Sequence, residues 1–261
     1  YGLNLQRLKM PINPYEDFKC DVPNLSTSVY FVVNDQFYND QLPKAQLNDG
    51  IVVDSFSNAI KTHGEIITNH YAKLADTAKD ALTAFNTMLA QDGLFVYVPK
   101  GVKSDRTIQV INILRSDVDL MLNRRILIVL EEGAELSMLF CDDSADDRKF
   151  LATQVIEAYV GDNAKLELNC LEETHLKNVR GSNVYIDQQS NSRVSHNIIT
   201  LHNGVTRNKL DLTFSGEGSE CFLNGCVVAD KHQHVDNNTV INHAVGNCKS
   251  NQLYKYVLDD H

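Results

Sequence analysis

The sequence predicts a mainly β chain, in which a parallel β-helix (a solenoid of stacked coils) follows a short α-helical N-terminal region. Apolar residues recur with a helical period before residue 91 and in strand-like runs after residue 93. Through the second part, one turn pattern returns at nearly constant spacing, which is typical of solenoids. We therefore expect an extended and helical region at 1–92 and a β-helix core at 93–261.

The first 50 residues have an irregular pattern, typical of an extended leader, with one predicted strand at 29–33. The chain starts Tyr1-Gly2-Leu3-Asn4, without Met and without a signal-peptide pattern, so we expect that an original N-terminus has been lost. Four of the five prolines lie in this stretch: Pro11, Pro14, Pro23 and Pro43.

Two short helices are predicted between Asp54 and Ala90, because apolar residues recur there at intervals of three, four and seven. Thr77 is placed to cap the second helix at its N-terminus. The apolar positions are Ile60, Ile66, Ile67, Tyr71, Leu74, Ala78, Leu82, Phe85 and Leu89.

β-Branched and aromatic runs replace the helical period after Gly93 and predict strands. The runs cover residues 94–98, 108–114, 126–130, 152–160, 184–187 and 194–201.

Five turns in this part share one pattern: Gly or Asn, a small residue, a charged residue and usually an apolar residue. They begin at Gly133, Asn163, Asn191, Gly218 and Asn247, and their small residues are 30, 28, 27 and 29 positions apart. Gly and Asn tolerate the left-handed backbone of a tight corner, and a small residue lets coils stack closely. We expect these turns at equivalent corners, with the charged residue outward and the apolar one inward. The alternative is an antiparallel β-sandwich, whose turns recur every ~8–12 residues.

Composition argues against two classes of partner. The chain has 24 Lys and Arg against 34 Asp and Glu, a net charge of −10, which opposes binding to nucleic acid or anionic lipid. Its longest aliphatic run, 126–130, is far shorter than the ~20 apolar residues of a membrane span. The six cysteines form no CxxC pair, so we expect reduced thiols and a cytoplasmic location.

The densest group of potential metal ligands lies near the end of the chain. His232, His234 and Asp236 would share one face of a strand, with Cys248 as a softer fourth ligand and His243 nearby. The same side chains could instead form a hydrogen-bonded ladder on the solenoid surface, and they match no zinc-binding spacing. We keep His232, His234 and Cys248 as metal candidates and assign no metal site.

Local machinery for catalysis is absent from the sequence. There is no GxxxxGK[ST] loop and no GxSxG elbow. Carboxylate pairs exist at Glu172-Glu173 and at Asp142-Asp143 with Asp146-Asp147, but the stretch 142–149 has the composition of a solvated loop. We therefore assign no catalytic and no cofactor-binding residue, and the pattern favours a scaffold over an enzyme.

Several stretches resemble the SufB/SufD family, and within it the SufD members, over about residues 31–258. The first is Gln-Asp-Gly-Leu-Phe-Val-Tyr-Val-Pro-Lys-Gly-Val at 91–102, preceded by Phe85-Asn86-Thr87. A longer one runs from Leu223-Asn224-Gly225 through 233–237 and His243 to Cys248 and 252–255. The stretches 130–136 and 214–218 also fit.

This resemblance implies a right-handed parallel β-helix that acts as a non-catalytic scaffold subunit of the Suf iron-sulfur cluster assembly complex. The implied partners are a SufB-like paralogue and, through a C-terminal helical region, a SufC-like ATPase. The family's last coils, its Cys-x-His segment and its SufC-binding helices would follow His261, so they map onto no position here. We therefore expect no tightly bound cofactor on this chain, with a cluster only transiently on the full complex.

Two other functions remain open at this stage. A β-helical carbohydrate-active enzyme would need a groove of charged residues with a pair of carboxylates ~5–9.5 Å apart. A metal-storage module would use His232, His234 and Cys248. We also expect a homodimer, because a solenoid that ends at 254–258 presents the unpaired strands of its last coil as a template for strand addition.

Overall fold

The structure, a computed structural model, describes residues 27–34, 36–38, 50–116, 118–144 and 148–259, and these residues confirm a mainly β fold. The strands are β1 Thr27–Val33, β2 Gln36–Tyr38, β3 Val52–Ser55, β4 Gly93–Val98, β5 Thr107–Leu114, β6 Leu120–Leu130, β7 Glu135–Ser144, β8 Phe150–Val160, β9 Lys165–Glu173, β10 Val179–Gln188, β11 Arg193–His202, β12 Val205–Phe214, β13 Glu220–Asp230, β14 His234–His243 and β15 Lys249–Asp259. The helices are α1 Phe56–His70 and α2 Ala81–Leu89.

The strands form a parallel solenoid of six coils. One sheet has the order β15-β13-β11-β9-β7-β5-β1-β2 and the other the order β14-β12-β10-β8-β6-β4-β3, so the chain alternates between the sheets. From β4 to β15 every pairing is parallel, which rules out the antiparallel sandwich. The right-handed sense of the coils stays a prediction.

The region before residue 93 adds short strands to the first coil. β1 pairs with β5 in parallel, β2 with β1 in antiparallel, and β3 with β4 in antiparallel. The predicted strand at 29–33 is thus confirmed, whereas most of the leader and its four prolines lie outside the described residues. The division at residue 92 stays a prediction.

The two predicted helices are present, but the predicted cap is wrong. Helix α2 begins after Asp80, whose Oδ1 accepts a hydrogen bond from the Thr83 amide at 2.8 Å. Thr77 lies in the preceding turn, too early to reach an amide of the first helical turn. No helix in the described part of the chain is both long and apolar enough to cross a bilayer.

The repeated turns lie at one corner of successive coils, as predicted, and we call this the tight corner. Gly133, Asn163, Asn191, Gly218 and Asn247 all have positive φ, between 55° and 77°. Backbone hydrogen bonds join each corner to the next, such as Asn163 N to the Ser190 carbonyl at 2.8 Å. The small residues that follow are buried in four of the five corners: Ala134, Ala164, Ser192 and Ser219. A sixth corner of this kind, at Gly101 with φ 71°, escaped the sequence pattern because a longer turn follows it.

Inward-facing side chains divide the interior of the solenoid into two halves. Near the tight corner the interior is apolar, with buried residues such as Leu130, Val160 and Phe214. The opposite corner, where the chain passes from an odd-numbered to the next even-numbered strand, we call the loop corner. Inward-facing residues near it are largely polar, and they form what we call the polar lumen.

Candidate functional site

The polar lumen contains two arginines and two carboxylates that neutralise one another. Arg124 Nη2 lies 2.8 Å from Asp142 Oδ1, and Arg180 Nη2 lies 2.8 Å from Asp142 Oδ2. Arg180 also contacts Glu172, whose other oxygen accepts a hydrogen bond from Thr200 at 2.8 Å. All four charged side chains are at most 7% exposed. Removing one partner would leave an uncompensated buried charge, so the cluster is stable only as a whole.

Asp142 has the most fully compensated carboxylate of this cluster. Burial alone would raise the pKa of Asp142, but the guanidiniums of Arg124 and Arg180 outweigh it and hold that pKa below its ordinary value. Asn112 Nδ2 adds a hydrogen bond to Oδ1 at 3.1 Å. Asp142 therefore stays ionised in the interior.

This position corrects the sequence prediction of a solvated loop at 142–149. Asp142 and Asp143 belong to strand β7, and Asp142 faces inward. Glu172, from the other carboxylate pair that the sequence offered, likewise faces the lumen, while Glu173 is exposed. Asp142 and Glu172 are both engaged by Arg180 inside the solenoid, so they do not flank an open cleft.

The sequence analysis missed the polar lumen, although the repeat could have revealed it. Asn112, Asp142, Glu172 and Thr200 are register partners on successive strands of one sheet, 30, 30 and 28 positions apart. Polar residues that recur at the coil period predict an inward-facing polar row as directly as apolar ones predict a core.

His196 lies deeper along the same interior. It is 3% exposed, and neither ring nitrogen has a hydrogen-bond partner among the described residues. Burial lowers the pKa of its imidazole to about 4, so the ring is neutral at pH 7. His196 and Cys170, which lies on the neighbouring strand β9, line one small cavity. Burial raises the pKa of the Cys170 thiol to about 12.

A second buried ion pair attaches the helical region to the outside of the solenoid. Glu157 pairs with Arg125 and accepts hydrogen bonds from the backbone amides of Ala72, Leu74 and Ala75 at 2.8, 2.9 and 3.1 Å. Both charged side chains are at most 1% exposed. The turn after α1 is thereby fixed to the outer face of β6 and β8.

Helix α2 is attached to the same face by polar and steric contacts. Asn86, which is fully buried, donates to the carbonyls of Arg124 and Thr153 at 3.1 and 3.2 Å. Leu82 packs on Gly181 so closely that a Cβ added there would lie 2.1 Å from Leu82 Cδ1. The helices thus cover part of one sheet and form no separate domain core.

The structure separates the metal candidates. His234 begins β14 and His243 ends it, about 30 Å apart at ~3.3 Å per residue. His232 lies in the turn before β14, so it does not share a strand face with His234 and Asp236. Cys248 lies beyond the far end of β14, where its Sγ contacts the Gly216 carbonyl at 3.4 Å.

These residues have other contacts. Asp236 pairs with Arg207 at 3.4 Å, and His243 Nε2 lies 3.1 Å from Ser250 Oγ. Within the described ranges, no three His, Cys, Asp or Glu side chains form a group that could hold a metal ion. Cys248 therefore cannot act as a fourth ligand beside His232 and His234.

Strands β14 and β15 form the last described coil, and each pairs on one side only among the described residues, with β12 and β13. Their side chains are far more exposed than those of earlier coils: Leu253 is 53% and Leu258 is 70% exposed. Backbone donors and acceptors on the other side of these strands can accept a further strand.

Six stacked coils with a polar lumen define a parallel β-solenoid protein. Two family models match the chain: "SufBD protein N-terminal region" at residues 1–110 and "SUF system FeS cluster assembly, SufBD core domain" at residues 112–261. The chain belongs to the SufBD family.

Curated relatives agree with this family. An iron-sulfur cluster assembly SufBD family protein of Synechocystis sp. is 24% identical over 212 residues, which are 77% of this chain and 44% of that protein. The iron-sulfur cluster assembly protein SufB of Bacillus subtilis is 24% identical over 215 residues, 80% of this chain and 45% of that protein. A SufBD family protein of Pyrococcus horikoshii is 23% identical over 210 residues, 78% of this chain and 45% of that protein. The chain thus spans less than half the length of these relatives, and the matches do not separate SufB from SufD.

Proposed function

We propose that this chain is a scaffold subunit of the SUF iron-sulfur cluster assembly system, without turnover of its own, and that its role is that of SufD. Its partners would be a SufB-like paralogue and, in the complete protein, a SufC-like ATPase. Clusters would be held transiently by the assembled complex and not by this chain alone, and the complex would work in the cytoplasm. Membership of the SufBD family supports this proposal.

One observation from the structure supports the pairing in particular. Among the described residues, the last strand of each sheet is long and has one unpaired edge: β14 has 10 residues and β15 has 11. A second solenoid with the same coil dimensions can continue both sheets at once. The two strands of its terminal coil would lie as far apart as β14 and β15, so each could pair with one of them. The SufB-like paralogue is the partner that the family offers for this geometry.

The pairing is tested by sedimentation of the 261-residue chain with a SufB-like paralogue. Leu258→Lys places a charge on the exposed edge of β15, where it would be desolvated on strand addition. We expect this variant to bind at least ~10-fold more weakly, a change of about 1.4 kcal/mol.

Val205→Lys is the matched control. Val205 is also exposed, at 42%, but its strand β12 is paired on both sides, with β10 and β14. We expect this variant to bind the paralogue as well as the unmodified chain does. Two results would contradict pairing through this edge: no binding of the paralogue at tens of micromolar, or equal weakening of binding by both substitutions.

A further inference from the structure

The unpartnered His196 ring faces a small cavity inside the solenoid. The cavity measures about 20 Å³ when counted as the space open to the centre of a water-sized sphere. Its lining includes Cys170, Ser182, His196, Asn208 and Tyr254. A single water needs ~10–15 Å³ by this measure, so the cavity has room for one or two molecules of that size.

The chemistry of the lining selects an uncharged molecule. The imidazole of His196 is neutral, and so is the thiol of Cys170, because burial lowers the pKa of the first to about 4 and raises that of the second to about 12. Two charged residues also line the cavity: Arg180 is already balanced by Asp142 and Glu172, and Lys209 by Asp80. An ion would therefore enter without a counter-charge, which is unfavourable in a buried site.

The lining also requires a molecule that both donates and accepts hydrogen bonds. A neutral imidazole presents one N–H and one lone pair, and both are without a partner here. Leaving such groups unsatisfied in a buried site is unfavourable. A small, uncharged molecule that can satisfy both is water.

A second cavity on the same axis has the same character. It measures about 10 Å³, space for the centre of one water-sized molecule, and lies beside Arg124. Nε and Nη1 of Arg124 have no partner among the described residues, and neither do Asn112 Oδ1 and Gln154 Oε1. Unused donors and acceptors thus face each other across a space of the size of one water. Arg180 lines both cavities and joins them along the lumen.

From this geometry we propose that the polar lumen is a binding site for ordered water, with one molecule at Arg124 and one or two at His196. The interior near the loop corner is hydrated, while the interior near the tight corner is dry. This inference is independent of the proposed function, since it rests on the interior of the chain alone.

The test is a crystal structure of the 261-residue chain at a resolution that reveals ordered water, with a second crystal under xenon pressure. Xenon enters dry apolar cavities and not polar, hydrated ones. We expect water density within hydrogen-bond distance of a His196 ring nitrogen and of Arg124 Nε or Nη1, and no xenon at either place. Leu166→Ala, whose register partners Leu136 and Val194 are buried apolar residues, opens a cavity in the apolar interior; it is the positive control and should bind xenon.

Xenon in the His196 or Arg124 cavity, or the lack of ordered density at both in a well-resolved map, would overturn the proposal. If Leu166→Ala does not fold, the unmodified chain still decides the question through its water density. Nuclear Overhauser transfer between water and the His196 ring in solution provides a readout that does not depend on crystals. The proposal predicts such transfer, and its absence would contradict the proposal.

Discussion

The two ends of the solenoid are built differently. At the first coil, the sheets end in β2 and β3, which have three and four residues and run antiparallel to their neighbours. At the last described coil, they end in β14 and β15, which are parallel to their neighbours and have 10 and 11 residues. Short edge strands offer little backbone to another chain, whereas long ones are templates for strand addition. Among the described residues, the long unpaired strand edges therefore lie at β14 and β15.

The same comparison holds for the side chains. In the first half of the solenoid, Glu157, Arg125 and Asn86 are buried and fix helices and turns to the sheet. In β15 nearly every side chain is exposed. Stability should therefore depend strongly on contacts at the first end and weakly on side chains at the second.

The largest expected effect is that of Glu157→Ala. It removes the partner of the buried Arg125 and the acceptor of three backbone amides, so the free energy of unfolding should fall by about 3–5 kcal/mol. Urea unfolding measures it. Glu167→Ala, on the exposed face of β9, is the control and should change stability by less than ~0.5 kcal/mol. Equal effects of the two substitutions would remove the distinction between buried and exposed carboxylates.

Core truncation should distinguish the middle of the solenoid from its open end. Leu168 is fully buried between β7 and β11, and Leu168→Ala should cost about 3 kcal/mol through lost burial and a residual cavity. Leu253→Ala, at a side chain that is 53% exposed on β15, should cost less than about 1 kcal/mol. Thermal unfolding at matched concentration checks both, and a larger loss at Leu253 would mean that the chain is already paired through that end.

Because of His196, the free energy of unfolding should also decrease as the pH is lowered. The folded pKa of about 4 lies below the ordinary value of 6.5, so the unfolded state takes up a proton first as the pH falls. The contribution of His196 to the free energy of unfolding is complete above pH 6.5. It decreases by about 3 kcal/mol in total as the pH falls to 4.

His196→Leu should flatten the pH dependence of stability over this window. Asp142, whose pKa is lowered, adds a further loss only below its unfolded pKa of about 4. Urea midpoints between pH 4 and 7 provide the measurement. An unchanged slope in the variant would show that another group titrates there.

The smallest effect is expected on the outer surface. Asn169, Asn197 and Asn224 form a ladder along the solenoid axis, with amide hydrogen bonds of 2.8 Å at each step. Asn197→Ala interrupts both steps at a partly exposed site and should cost about 1 kcal/mol. Asn251→Ala, at an exposed side chain on β15 of the same sheet, serves as the control in the same unfolding assay. A cost near zero for Asn197→Ala would mean that water replaces the ladder at no loss.

Much of this fold could be predicted from the sequence, because the repeat is expressed in residues with strong local preferences. Asn163 and Asn191 tolerate positive φ, and the buried small residues Ala134 and Ser219 fit the stacked corners. Outside the predicted runs lie six strands in which polar residues interrupt the apolar pattern: β7, β9, β12, β13, β14 and β15. Thr77 was the wrong cap because Thr77 and Asp80 are both suitable capping residues. The local sequence does not decide after which of them the helix begins.

The polar lumen could not be predicted from local sequence. Asp142 stands within an acidic stretch that has the composition of a loop, and only its pairing with Arg124 and Arg180 across the interior explains its burial. Those partners come from strands of the other sheet, and charge pairing across a lumen leaves no signal in a local window. For the metal candidates, closeness in sequence was misleading. His234 and Cys248 are 14 positions apart in the chain but lie at opposite ends of β14.

The difference between the two ends is tested most directly by hydrogen exchange of the 261-residue chain with and without a SufB-like paralogue. In the free chain, the amides of β14 and β15 should exchange much faster than those of β8 and β10, which are paired on both sides. On addition of the paralogue, we expect exchange in β14 and β15 to slow by at least ~10-fold, which is about 1.4 kcal/mol of added protection, with no change in β2 or β3. Protection that appears at β2 and β3, or a complex that leaves β14 and β15 unprotected, would contradict the account.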